Sequence, residues 1–179
     1  FIDAVDIKKS RVELINENAN RLGLGSVHAR LGNALDINYT GEDFEPYDIV
    51  VCDVPCSGLG LLGRKPDIRD KFVYEELEEL IPLQFEILEH ASKMVRPGGT
   101  LVYCTCTLNS DENEKQVERF LDEHKRFHTV SIEQYLPEEI YMDDARKTTV
   151  ENGMITLLPH LDKCEGFFIC RMERDRKEE

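Results

Sequence analysis

Short apolar runs alternate with amphipathic stretches along the first 125 residues, and this alternation leaves few folds open. Residues 2–6 (Ile-Asp-Ala-Val-Asp) read as a short buried strand ending in a carboxylate. Over residues 8–22, Val12, Ile15, Ala19 and Leu22 fall on one helical stripe, and Gly23 follows as a stop. A second strand is expected at 26–31, followed by a Gly/Glu/Asp-rich loop. A third is expected at 47–52 (Tyr-Asp-Ile-Val-Val-Cys), apolar enough for the middle of a parallel sheet. A long loop, 53–73, carries Gly, Pro and basic residues. Residues 74–95 are expected to be helical, with Ile81, Phe85, Leu88 and Val95 as the apolar face, Pro82 starting a second segment and Pro97-Gly98-Gly99 ending it. A fourth strand covers 100–105. Asn109 followed by Glu112 fits a capping box that opens a helix over about 110–124. Strands at 127–132, 154–158 and 167–173 finish the chain, and the acidic stretch 133–152 reads as a surface excursion. Alternation followed by successive strands specifies an α/β chain, with a mostly parallel sheet and an antiparallel strand near its end.

In such sheets ligands bind where the carboxyl ends of the strands open into a crevice. The residues to inspect are therefore Asp6, Asn33, Asp53 to Gly60, and Cys104 to Leu108. If the third and fourth strands are parallel neighbours, Cys56 and Cys106 converge above the sheet. Side-chain alternation puts Cys104 and Cys106 on one strand face and Thr105 on the other.

Composition narrows the classes of function. The 179 residues are 41% hydrophobic and 32% charged, an ordinary balance for one globular domain. No apolar run approaches the roughly 18 residues that span a bilayer, so no membrane partner is expected. The start has no signal-peptide pattern and no initiator Met, and it opens directly in a strand-like run, which reads as a fragment beginning inside a fold. The net charge of −14 taken alone argues against nucleic acid, because the phosphate backbone is bound by Lys and Arg. The charge is uneven, however. Acidic residues crowd 75–79, 111–123, 138–144 and the tail. Basic residues gather at Lys8, Lys9 and Arg11, and again at Arg64, Lys65, Arg69 and Lys71, beside the cysteine-bearing loop.

Six cysteines, Cys52, Cys56, Cys104, Cys106, Cys164 and Cys170, occur without an export signal, so reduced thiols and a cytoplasmic location are expected. Cysteine clusters in that setting suggest catalysis or metal. Zinc is the competing reading for Cys52, Cys56, Cys104 and Cys106, but only Cys52/Cys56 has a usual ligand spacing. Cys52, Cys104, Cys164 and Cys170 are read as small buried hydrophobes, Ser57 as a turn residue, and the five histidines as structural or surface groups without metal spacing.

Asp53-Val54-Pro55-Cys56-Ser57-Gly58 together with Thr105-Cys106-Thr107 resembles the two signature motifs of the RNA cytosine-5 methyltransferases, nearest the Sun/Fmu (RsmB-like) group that acts on small-subunit ribosomal RNA. The resemblance runs along the whole chain: Ala4-Val5-Asp6-Ile7 with Arg11, Arg64-Lys65-Pro66-Asp67-Ile68, Glu112-Asn113 and Gly166-Phe167-Phe168 each match in order. It implies a Rossmann-like class I methyltransferase sheet and S-adenosylmethionine as cofactor. It also implies covalent catalysis, since a thiolate adding to carbon 6 of cytosine turns carbon 5 into a nucleophile. By resemblance Cys106 is that thiolate, Cys56 assists its release, and Asp53 holds the base edge and borders the cofactor. Asp6 and Arg11 belong to the cofactor side, with Asp6 on the ribose. Asn33 stands where the family usually has Asp toward the adenine, and its amide oxygen accepts the same hydrogen bond without a charge. Arg64 and Lys65 are candidates for RNA phosphate. A non-catalytic RNA-binding module of the same fold is the remaining alternative, although such a module would need neither cysteine.

The resemblance also implies that residues 1–179 are part of the catalytic domain. The first strand, the glycine-rich cofactor loop and the N-terminal RNA-binding domain would precede Phe1. A sheet truncated at its N-terminus is expected to bind cofactor weakly, or to be completed by rearrangement or by another chain.

Overall fold

The computed structural model describes residues 1–38, 40–41 and 44–176. Parts of the Gly/Glu/Asp-rich loop and of the acidic tail therefore lie outside the described residues. The chain forms two compact units, Phe1–Phe44 and Glu45–Glu179.

The first unit is a β-α-β arrangement. Strand β1 (Ile2–Asp6) pairs in parallel with β2 (Val27–Leu31), in register from Ile2 opposite Val27 to Asp6 opposite Leu31. Helix α1 (Lys9–Leu22) connects them and ends where Gly23 takes a left-handed φ of 70°. The Leu24 N–H then returns to the Ala19 carbonyl at 2.8 Å, closing the helix as a residue without a Cβ penalty allows. Val12, Ile15 and Ala19 line the inner stripe as expected, but Leu22 is exposed, because the chain turns away at Gly23 before that side chain is covered.

The second unit is built on a five-stranded sheet. Strand β3 (Tyr47–Asp53) lies parallel to β4 (Val95–Thr105), β4 is antiparallel to β7 (Phe167–Arg174), and β7 pairs with both β5 (Phe127–Thr129) and β6 (Met154–Leu157). The antiparallel strand near the end is thus present, and β5 and β6 share its far edge. β3 was expected in the middle of a sheet. Among the described residues it has one partner, β4, and Ile49 and Val51 are each 62% exposed. Apolar content reports how a strand's faces prefer to be covered, not how many neighbours it has.

Pro97-Gly98-Gly99 does not separate the helix from the strand as expected. After the short helix α2 (Asp67–Lys71), helix α3 (Glu76–Lys93) stops earlier, and β4 already begins at Val95. Pairing jumps from Tyr47↔Val95 to Ile49↔Thr100, so the Pro-Gly-Gly segment forms a bulge inside β4. Gly99 is required there, since a Cβ would lie 2.9 Å from the Arg96 carbonyl oxygen. Pro82 likewise does not start a new segment. It sits inside a continuous α3, whose buried face of Leu77, Gln84, Phe85 and Leu88 holds the helix together past one missing N–H.

Helix α4 (Glu114–Glu123) packs against α3, with the Arg119 guanidinium 3.6 Å above the Phe85 ring centroid. It begins four residues later than the capping box at Asn109 would place it. The stretch 133–152 also departs from expectation. It holds helix α5 (Asp144–Glu151) and packs Tyr141 and Val150 with Ile132 and Ile155 into a small core of its own. Its acidic residues hide an apolar spacing that the charge pattern overshadowed.

Candidate active site

Two loops carry the chemistry of the second unit, one leaving β3 and one leaving β4. The strands are parallel neighbours with Asp53 opposite Cys104, so both loops start at the same end of the sheet. Cys56 and Cys106 meet there, with their sulfurs 3.1 Å apart. Glycines allow the close approach. Gly58 has a φ of 71°, a turn conformation that favours glycine. Gly60 donates its N–H to the Cys106 carbonyl at 3.0 Å, and Gly166 donates to the Gly60 carbonyl at 2.9 Å. A Cβ on Gly60 would lie 2.2 Å from the Gly166 carbonyl oxygen and 2.7 Å from that of Cys106.

The two sulfurs are electrostatically unequal. The hydrogen bond between them pushes the Cys56 thiol far above the ordinary thiol range, with burial adding to the rise. The same bond holds Cys106 down at about 7, against burial and the Asp53 carboxylate, which push it up. Lys65 contributes in the lowering direction. Both directions favour the anion on Cys106 and the shared proton on Cys56. Asp53 stands near enough to raise both Cys106 and Cys104.

The other cysteines divide differently from expectation. Cys52, Cys104 and Cys170 are buried, and burial pushes Cys52 and Cys104 up to about 12. Cys104 points its thiol at the Cys52 carbonyl, 3.5 Å away. Cys164 is exposed, not a buried hydrophobe, because it lies in the turn before β7. Among the described residues no group of three or more His, Cys, Asp or Glu side chains is arranged to hold a metal ion.

Beneath the thiol pair lies a hub that the sequence reading assigned elsewhere. Glu112 is fully buried. Its Oε1 accepts from the Ser57 N–H at 2.8 Å and from Gln84 Nε2 at 2.9 Å. Its Oε2 accepts from Ser57 Oγ at 2.6 Å, and from Thr107 Oγ1 and Asn109 Nδ2 at 3.2 Å each. Gln84 also donates to the Pro55 carbonyl at 2.9 Å, and the Tyr103 hydroxyl donates to the Glu112 carbonyl at 2.7 Å. Asn113 bridges Thr105 and the Thr107 carbonyl. Glu112 is therefore no helix cap, and Ser57 is more than a turn residue. One signal was available in the sequence: Gln84 is a polar residue on the apolar face of α3, between Ile81 and Phe85.

A cleft of about 550 Å³ opens beside Cys56 and Ser57, walled by Ile68, Phe72, Leu77 and Leu80. Arg64, a candidate for RNA phosphate, pairs with Glu165 at 3.2 Å, while the charge of Lys65 favours the Cys106 anion.

In the first unit, Asp6 sits at the carboxyl end of β1. It accepts from the Lys8 N–H at 2.7 Å and pairs with Arg11 at 3.3 Å. Arg11 is thus tied to Asp6. Asn33 uses its side-chain oxygen to cap the short turn at Ala34–Asp36, accepting from Leu35 N–H at 3.1 Å.

The α/β architecture and the solved structures it matches are those of Rossmann-like class I methyltransferases. The crystal structure of PH0851 superposes with a TM-score of 0.82 at 29% identity, over 97% of this chain and 37% of that one. NSun6 from Pyrococcus horikoshii, solved with SFG, superposes at 0.76 and 26% identity, over 98% of this chain and 42% of that one. More narrowly, the chain belongs to the 16S rRNA methyltransferase RsmB/F family, whose profile matches residues 1–173. The probable ribosomal RNA small subunit methyltransferase B of Bacillus subtilis is 37% identical over 176 residues, which is 97% of this chain and 37% of that protein. The ribosomal RNA small subunit methyltransferase F of Escherichia coli O6:H1 is 34% identical, over 96% of this chain and 34% of that protein. The chain thus spans little more than a third of the length of these curated relatives.

Proposed function

We propose that this chain is the base-side part of an RNA methyltransferase that transfers a methyl group from S-adenosylmethionine to carbon 5 of a cytosine in small-subunit ribosomal RNA. The observation that carries this reading is the Cys56–Cys106 pair, two sulfurs 3.1 Å apart, whose hydrogen bond favours the anion on Cys106. A single activated thiolate suits many reactions. A thiolate paired with a second, protonated thiol suits a reaction that must both attack and be released.

Cys106 Sγ adds to carbon 6 of the flipped-out base, forming an S–C6 bond and loading the electron pair onto carbon 5. Asp53, exposed at the end of β3, accepts from the exocyclic amino group at the base edge and so holds the ring in place for attack. When bound, the cofactor supplies an electrophilic methyl group on a sulfonium. Asp6 fits its ribose, because its carboxylate lies at a strand end, and the Asn33 amide oxygen, which accepts from the Leu35 N–H, has a second lone pair for the adenine amino group. After carbon 5 has gained the methyl group, Cys106 is a neutral thioether. The anion and hydrogen bond that held Cys56 protonated are then gone. Cys56 can lose its proton to solvent and take the proton on carbon 5, and the C6–S bond breaks to restore the Cys106 thiolate.

Methylation mapping with the full-length protein and its Cys106→Ala and Cys56→Ala variants tests this. Cys106→Ala should form no covalent RNA complex, and Cys56→Ala should accumulate one that survives denaturation. Full activity in both variants would refute the reading.

A further inference from the structure

The Glu112 hub gathers five hydrogen bonds onto one buried carboxylate, and their donors come from three places in the chain. Ser57 belongs to the β3 loop, Gln84 to α3, and Thr107 and Asn109 to the β4 loop. The Ser57 and Thr107 hydroxyls also lie 2.8 Å from each other. Ser57 directly follows Cys56, and Thr107 directly follows Cys106. The carboxylate thus grips the residue next to each sulfur, while Gln84 fixes the Pro55 carbonyl on the far side of Cys56. No buried side-chain nitrogen or oxygen among the described residues lacks a partner, so the network is fully satisfied and rigid.

We propose that Glu112 is a positioning residue for the thiol pair: it clamps the two loops together and so sets the short sulfur–sulfur contact of Cys56 with Cys106. The proposal deepens the covalent reading by naming what holds its two cysteines, but its test needs neither RNA nor cofactor. The clamp reading and a simple charge effect have opposite signs. A nearby carboxylate acting through its charge disfavours a thiolate, so removing it would lower the Cys106 titration. A carboxylate acting as a clamp brings the Cys56 thiol to Cys106, so removing it raises that titration.

The experiment is the pH dependence of Cys106 alkylation by iodoacetamide in the 179-residue chain, resolved by peptide mass spectrometry so that exposed Cys164 does not interfere. Circular dichroism checks that each variant folds. The parent midpoint is expected near 7. In Glu112→Ala it should move toward the ordinary thiol value of 9.0. Glu112→Gln should stay near the parent, because its amide can keep the Ser57 N–H and Gln84 bonds while the Ser57 and Thr107 hydroxyls turn to accept, and only the Asn109 bond is lost. Ser57→Ala cuts only the hydroxyl links of a half-buried residue and should give a smaller rise. An unmoved or lowered midpoint in Glu112→Ala overturns the proposal, as does a Gln variant that shifts as far as Ala. If Glu112→Ala does not fold, an unmoved midpoint in Ser57→Ala overturns it. Undiminished methylation in Glu112→Ala, with its midpoint raised as expected, would instead count against the reaction proposed above.

Discussion

Replacing Gly60 by alanine should loosen the site through sterics alone. Gly60 needs no left-handed backbone, so alanine meets no dihedral penalty there. Its new methyl would instead lie 2.2 Å from the Gly166 carbonyl oxygen and 2.7 Å from the Cys106 carbonyl oxygen, both of them backbone atoms that cannot rotate aside. Relieving the clash separates three segments and breaks the bonds from Gly60 N–H to Cys106 and from Gly166 N–H to Gly60. Overpacking of this kind costs about 1–3 kcal/mol. Each broken bond adds about 1 kcal/mol. The stiffer unfolded chain returns about 0.4–1 kcal/mol. The net loss is therefore about 3 kcal/mol, which for a chain this size lowers the thermal midpoint by roughly 6–12 °C. Circular dichroism melting measures it. The control is Gly63→Ala, where nothing lies within 4 Å and the midpoint should hold or rise slightly. A Gly60→Ala variant that melts with the parent would refute the claim that Gly60 and Gly166 are in forced contact.

Further outcomes follow from other contacts. Cys56→Ala removes the largest cause of the low Cys106 value, so the midpoint of Cys106 alkylation should rise above about 7, measured by site-resolved alkylation across pH. The Arg146–Asp162 pair is bidentate, with contacts of 2.8 and 2.7 Å and an Asp162 side chain only 5% exposed, so Asp162→Ala should cost about 3 kcal/mol in urea unfolding. Asp162 is held below its ordinary 3.8, mainly by Arg146. Its contribution is present above that value and should fade as pH falls through the lower folded value, whereas Asp162→Asn should lack this acid-side loss. Tyr103→Phe deletes the buried hydroxyl bond to the Glu112 carbonyl and should cost about 1 kcal/mol or slightly more, read from the same unfolding curves.

Much of the fold was legible because it is written in local patterns. The helical stripe of α1 with its Gly23 stop, the apolar run of β3, and the change from alternation to successive strands all survive in the structure. Errors came where one local signal had two tertiary solutions. Pro97-Gly98-Gly99 reads as a turn, and it does carry a φ of 74° at Gly98, but a neighbouring strand continues past it and makes it a bulge. Asn109 and Glu112 have the spacing of a capping box. Glu112 is instead drawn inward, because Ser57, Gln84 and Thr107 offer donors that only the folded chain brings there. The charge of 133–152 concealed Tyr141 and Val150, whose partners Ile132 and Ile155 flank the stretch.

By itself the sequence determined the family, the α/β class and the two cysteines, because motifs and hydrophobic period are properties of neighbours along the chain. The tertiary structure decided that those cysteines meet. Cys56 and Cys106 are fifty residues apart, and the parallel pairing of β3 and β4 brings their sulfurs to 3.1 Å. Their difference arises from burial, from one shared proton and from the charges of Asp53 and Lys65, and these depend on distance through space.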